Sequence, residues 1–167
     1  MRLRMRRALP LFAMLASAGC QSGLTDGAEL ASLDEAYFRC KVQPVVTKSC
    51  SMFVCHGDAR RYYKVFGRNR LRYGLSEDER NATMTDVERR FDFDATRAQV
   101  DLEDPESSFL LLKPLDEAAG GYFHGGATEF GQGDVFLSRE EQDFQTILAW
   151  VKGATEDPTC IEPGSDL

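Results

Sequence analysis

The stretch that most constrains this chain is Cys50-Ser51-Met52-Phe53-Val54-Cys55-His56-Gly57. Two cysteines followed at once by a histidine supply what covalent haem attachment requires. Each thiol adds to one vinyl group, and the adjacent imidazole reaches the iron from the same face. The usual spacing puts two residues between the cysteines; here there are four. Two other chemistries use the same side chains. Cys50 and Cys55 can close a disulfide across a tight turn, leaving His56 an ordinary polar residue. Cys50, Cys55 and a histidine are also zinc ligands. The eight residues by themselves leave all three open.

The N-terminus sets the chemical environment in which those thiols work. Arg2, Arg4, Arg6 and Arg7 form a basic n-region, Ala8 to Ala16 is a short apolar stretch, and small residues follow to Cys20. Residues 1–19 therefore read as a secretory signal, too short to span a bilayer as a settled helix. Ala18-Gly19-Cys20 resembles the lipobox of bacterial lipoproteins, although Ser17 stands where those usually have leucine. The resemblance implies that Cys20 is diacylated and becomes the mature N-terminus; an ordinary signal peptide cleaved near Ala18 is the alternative. Gln21 after the cysteine resembles outer-membrane-directed lipoproteins. The expected location is the periplasmic face of a bacterial membrane, the outer one by that resemblance, or the cell surface. Residues 20–28 read as a polar, lipidated tether, residues 29–160 as one domain and residues 161–167 as a loosely ordered tail.

Outside the cytoplasm thiols meet oxidants. With Cys20 assigned to lipid, Cys40, Cys50, Cys55 and Cys160 remain, an even number. They divide either into haem on Cys50 and Cys55 with a Cys40–Cys160 disulfide, or into two disulfides whose connectivity sequence does not choose. Closing the long loop between Cys40 and Cys160 would stabilise by about 4–5 kcal/mol in the chain-entropy account. The net charge is −7, and the signal holds four arginines and no acid, so the remainder from Cys20 carries −11. That balance argues against nucleic acid and anionic headgroups as partners and for proteins with basic docking surfaces. Membrane attachment would come from the lipid anchor.

The coarse pattern is helical. From Glu29, Leu30, Leu33, Tyr37 and Cys40 recur at three- and four-residue steps, and Pro44 can start a further turn running into Cys50. Residues 59–73 interleave Arg60, Arg61, Lys64, Arg68, Arg70 and Arg72 with Tyr62, Tyr63, Phe66 and Tyr73. This reads as a solvated loop that packs its aromatics and pairs with acids elsewhere; in the sharper reading its arginines neutralise haem propionates. Ser76 to Glu79 fits a capping box opening a helix with a Met84, Val87, Phe91 stripe, which explains Met84 better as core than as an iron ligand. Asp104-Pro105 starts a short buried helix through Leu112 that ends before Pro114. A glycine-rich loop, residues 120–126, carries His124. The last helix is capped at Ser138, has Glu141 in the capping box, and shows Phe144, Ile147, Leu148 and Val151 on one face.

Taken in order, these motifs resemble the small bacterial c-type cytochrome domains described as Planctomycete-type. The pieces are Val42-Gln43-Pro44, Cys50 to Gly57, the run from Pro105 to Lys113, His124-Gly125-Gly126, and the run from Ile147 to Gly153. They span roughly residues 36 to 154. The Met-Pro loop that many relatives use for the second iron ligand is absent. The resemblance implies an all-α, cytochrome-c-like domain with long loops, in which the N-terminal helix packs against the Ser138–Val151 helix. It also implies haem c held by Cys50 and Cys55, His56 as proximal iron ligand and His124 as the distal one. Two histidines would fill the iron's coordination, which suits an electron carrier rather than an enzyme. If His124 does not ligate, an open position would permit peroxidase or sensor activity. The alternative to the whole reading is a haem-free, disulfide-stapled lipoprotein serving as an interaction module or accessory subunit.

Overall fold

The computed structural model describes residues 32–125 and 134–161. The signal segment, Cys20, the tether, Gly126 and the tail beyond residue 161 lie outside the described residues. Within them the chain is all-α: helices joined by long loops, with one isolated parallel bridge between Leu115 and Phe136. None of the described helices is long and apolar enough to cross a membrane.

The first element, α1, is one helical run in three parts: Glu35–Tyr37 (α), Phe38–Val42 (π) and Gln43–Cys50 (α). Asp34 caps it by accepting from the Tyr37 N–H. The expected start at Glu29 lies outside the described residues, and Leu33 precedes the cap. Pro44 sits in the first turn of the last part, which runs into Cys50 as expected, but that part follows the π segment without a break. Proline has no N–H to give the carbonyl four residues back. The chain takes up this loss by widening, and Gln43 donates to the Phe38 carbonyl five residues back. π turns of this kind accommodate such interruptions without ending a helix. Cys40, in the widened turn, forms a disulfide with Cys160, with Cα atoms 6.4 Å apart.

The helix expected after Ser76 is two. The first, α2, Glu77–Asn81, has the capping box of Ser76 with Glu79; the second, α3, Asp86–Arg97, starts at a second capping box, Thr85 with Glu88. Thr-x-x-Glu restarts the helix, so Met84 lies between the two rather than on a helical stripe, and Val87 faces solvent. A short 3₁₀ turn, Pro105–Ser107, leads into α4, Phe109–Leu112; Leu110, Leu111 and Leu112 are buried but Phe109 is exposed. The last helix, α5, spans Gln142–Val151. Its expected cap is half made. Glu141 accepts from the Ser138 N–H, but the Ser138 hydroxyl accepts from Glu140, so regular helix begins only at Gln142.

Helices α1, α3 and α5 meet in an aromatic cluster. Phe38 lies 5.4 Å from Phe93 and 5.2 Å from Trp150, centre to centre, and Phe93 lies 6.1 Å from Trp150. Such tilted and edge-on pairs add to the area they bury. The Trp150 indole N–H donates to the Asp34 carbonyl, tying the end of the domain to the cap that starts it. Val42, Val46, Leu111, Phe144 and Ile147 complete a core that leaves the C-terminal end of α1, and with it Cys50, at the edge of a cavity.

Candidate haem site

The segment leaving α1 is a compact knot. Cys55 donates to the Met52 carbonyl, His56 to that of Cys50 and Gly57 to that of Met52. A Cβ at residue 57 would collide with the Ser51 carbonyl oxygen, so only glycine lets the chain fold back this tightly. The turn swings His56 toward Tyr63, whose backbone carbonyl takes a hydrogen bond from Nδ1 at 2.9 Å and whose ring lies 4.7 Å from the imidazole. Val65 donates in turn to the His56 carbonyl. Residues 59–73 thus face both ways: Tyr63, Val65 and Phe66 pack inward and Tyr62 stands fully in solvent.

His124 arrives from the opposite wall. Gly121 is held against Leu115 and Asp116, where a Cβ would meet the Leu115 carbonyl, and Tyr122 donates to the Leu112 carbonyl. Lys113 fixes the next residue by donating to the Phe123 carbonyl. Gly120 takes a left-handed φ of 91° that favours glycine, whereas a Cβ placed on Gly125 meets nothing within 4 Å. The imidazoles of His56 and His124 lie nearly parallel, 10° apart, with centres 6.1 Å apart.

Between them is a cavity of about 560 Å³. Cys50, Cys55, His56 and His124 all line it, so the four residues singled out in the sequence meet in one place. Phe109, Leu110, Pro114, Phe123 and Val135 make much of the wall apolar, and Phe109 and Phe123 are also exposed at its rim. The cationic side chain on the lining is Lys113; none of the arginines between residues 60 and 72 belongs to it. Met84 is buried elsewhere.

The electrostatics favour neutral forms. Burial lowers the pKa of His56; the Tyr63 hydrogen bond opposes this, and His124 and Arg61 reinforce it. A neutral imidazole that donates from Nδ1 keeps the lone pair of Nε2, the form that binds metals. Burial, with Cys55 adding to it, pushes the Cys50 thiol up to about 12. Thiolate is the reactive form of cysteine, and burial disfavours it at Cys50; Cys50 and Cys55 are not joined in a disulfide. Burial also raises the Tyr63 phenol well above its ordinary value, and its hydroxyl pairs with that of Thr96. Among the described residues no group of three or more His, Cys, Asp or Glu side chains is assembled to hold a metal ion unaided.

Two contributors escaped the sequence reading. The Tyr63 carbonyl is a backbone group, and no residue type announces it. Asp134 places Oδ1 3.4 Å from His124 Nδ1 and lines the same cavity; it is one of many acids in the chain, and only the fold singles it out. A scan against protein-family models, a search of curated proteins and a search of solved structures each find no match to this chain.

Proposed function

We propose that the chain is a cytochrome-c-like electron carrier that binds one haem c in this cavity. The observation that carries the reading is the pair of near-parallel imidazoles on a cavity whose wall also presents both thiols. The two ring centres are 6.1 Å apart, near enough for both imidazoles to serve one metal ion. A cleft with a largely apolar wall suits a flat apolar cofactor. Cys50 and Cys55 would hold the haem by thioether bonds, with His56 and His124 as the iron ligands. Lys113 would offer its charge to a propionate. When bound, haem ligated by two imidazoles supplies one-electron redox chemistry without an open coordination position. The protein's own part is to keep His56 neutral and aimed through Tyr63, to hold both thiols at the wall and to exclude water with apolar side chains.

The lipid anchor on Cys20 and the extracytoplasmic location are part of the same proposal and rest on the sequence. So do redox partners with basic surfaces, drawn by the net charge of −11 that the chain carries from Cys20 onward. Arg61 and Lys113 stand near the cavity, so such partners would approach by another face. The test is a visible spectrum and acid–acetone extraction of protein exported from a host with haem-maturation machinery. The expected result is colour that stays with the polypeptide, a mass increased by one haem and a low-spin spectrum. Colourless protein with a Cys50–Cys55 disulfide would overturn the reading in favour of a haem-free lipoprotein module.

A further inference from the structure

We propose that Asp134 is the positioning residue of His124, accepting its Nδ1–H and so turning Nε2 to the cavity. His124 Nδ1 and Asp134 Oδ1 lie 3.4 Å apart, both are shielded from water, and neither has another hydrogen-bond partner among the described residues. The Asp134 side chain is only 6% exposed. A buried carboxylate oxygen and a buried ring nitrogen without partners are each costly. A closure of about 0.5 Å brings the two to ordinary hydrogen-bond distance and relieves both. The backbone holds the pair in register. His124 follows Tyr122, which donates to the Leu112 carbonyl, and Asp134 precedes Phe136, which donates to the Pro114 carbonyl. Both walls hang from the same stretch, residues 112–116.

The arrangement makes the two histidines unequal. The Nδ1 of His56 faces a neutral carbonyl, whereas that of His124 faces a carboxylate. An acceptor bearing full charge binds the proton more strongly and makes the imidazole a better electron donor through its other nitrogen. On the haem reading, on which this consequence rests, His124 is the ligand that stabilises the oxidised iron.

The experiment uses the full chain with Asp134→Asn and Asp134→Ala. If the protein carries haem, Asp134→Asn should keep the low-spin spectrum while shifting the oxidised-to-reduced ratio about tenfold toward reduced, 59 mV for a one-electron couple. Asp134→Ala should add partial high-spin iron and carbon monoxide binding that the parent lacks. If it carries none, nitrogen-15 NMR of the ring nitrogens should find His124 as the Nδ1–H tautomer in the parent and in Asp134→Asn, and mostly Nε2–H in Asp134→Ala. His56 should not change and serves as the control. A potential unmoved in Asp134→Asn, or a parent His124 in the Nε2–H form, overturns the proposal. Colourless protein overturns the haem reading alone, because the tautomer measurement still decides the role of Asp134.

Discussion

The interior holds two polar regions built on opposite principles. Beneath α3, Glu88 is almost wholly buried and its carboxylate accepts from Arg72 Nε and Nη2, the Tyr73 and Thr85 backbone N–H groups and the Thr85 hydroxyl. Arg72 spends its remaining donors on the carbonyls of Arg80, Ala82 and Thr83. Around the cavity the opposite holds: His56 keeps one nitrogen uncommitted, and His124 and Asp134 stand just short of bonding. The first network closes on itself and can only hold the chain together. The second offers groups to something outside the polypeptide. Completeness of hydrogen bonding separates scaffold from site, and burial runs the same way: Arg72 and Glu88 are buried, whereas His56, His124 and Asp134 are half-buried.

The comparison breaks most readily at Arg72. Removing one partner of a buried ion pair strands the other's charge, and Arg72→Ala should cost about 3–5 kcal/mol, read as the shift in a urea unfolding midpoint. Replacing both partners by apolar residues, Arg72→Met with Glu88→Leu, should recover most of that loss. A small loss in Arg72→Ala would mean that Glu88 reaches water and that the network is not closed.

One turn along α3, Asp92 tests the intermediate case. It is fully buried and accepts from the Phe66 N–H and from Gln43 Nε2, but has no cation at hand. Burial therefore wins and raises its carboxyl to about 8, with Glu88 adding to the rise. For Glu88 burial also pushes upward, but the hydrogen bonds from Arg72, Thr85 and Tyr73 outweigh it and hold the carboxyl to about 2. The signs follow. Folded Asp92 keeps a proton that the unfolded chain has released, so stability should fall as pH rises toward 8, by about 2 kcal/mol between pH 6 and pH 8. Asp92→Asn should flatten that limb. Glu88 contributes stability above its ordinary range that is lost as pH falls from 4.5 toward 2. Urea melts across pH, parent against Asp92→Asn, measure both; identical slopes above pH 6 would place water beside Asp92.

The smallest expected effect lies in the cavity. In protein without cofactor, His56→Ala and His124→Ala should each change stability by no more than about 1 kcal/mol, since the site's groups are not what holds the fold. In loaded protein the same changes should abolish the low-spin spectrum. A large loss of stability in the unloaded variants would make these histidines scaffold and remove the contrast.

How much of this could be read in the sequence depended on whether a residue's role is local. The capping boxes at Ser76 and the apolar face of α5 follow from neighbours three and four positions away, and were legible. The break between α2 and α3 was also written locally, in Thr85 and Glu88, but a run of helix-compatible residues hid it. Within the site, Cys50, Cys55, His56 and His124 could be picked out because their chemistry is rare in this chain. Asp134 and the Tyr63 carbonyl could not, since acids and carbonyls are common. Their meaning lies in what stands beside them, which only tertiary structure decides. The same holds for Asp92, whose partners come from residues 43 and 66.

The Cys40–Cys160 bond has a mechanical consequence. It joins residues 120 apart in sequence near both limits of the described domain. A pull applied between residue 32 and residue 161 therefore runs through the first turns of α1, across the sulfur bridge and out again. Everything threaded between the two cysteines, the walls of the cavity included, lies in a covalent ring that carries none of the tension. A load on the ends of this domain would stretch its frame and leave the contents of the ring slack.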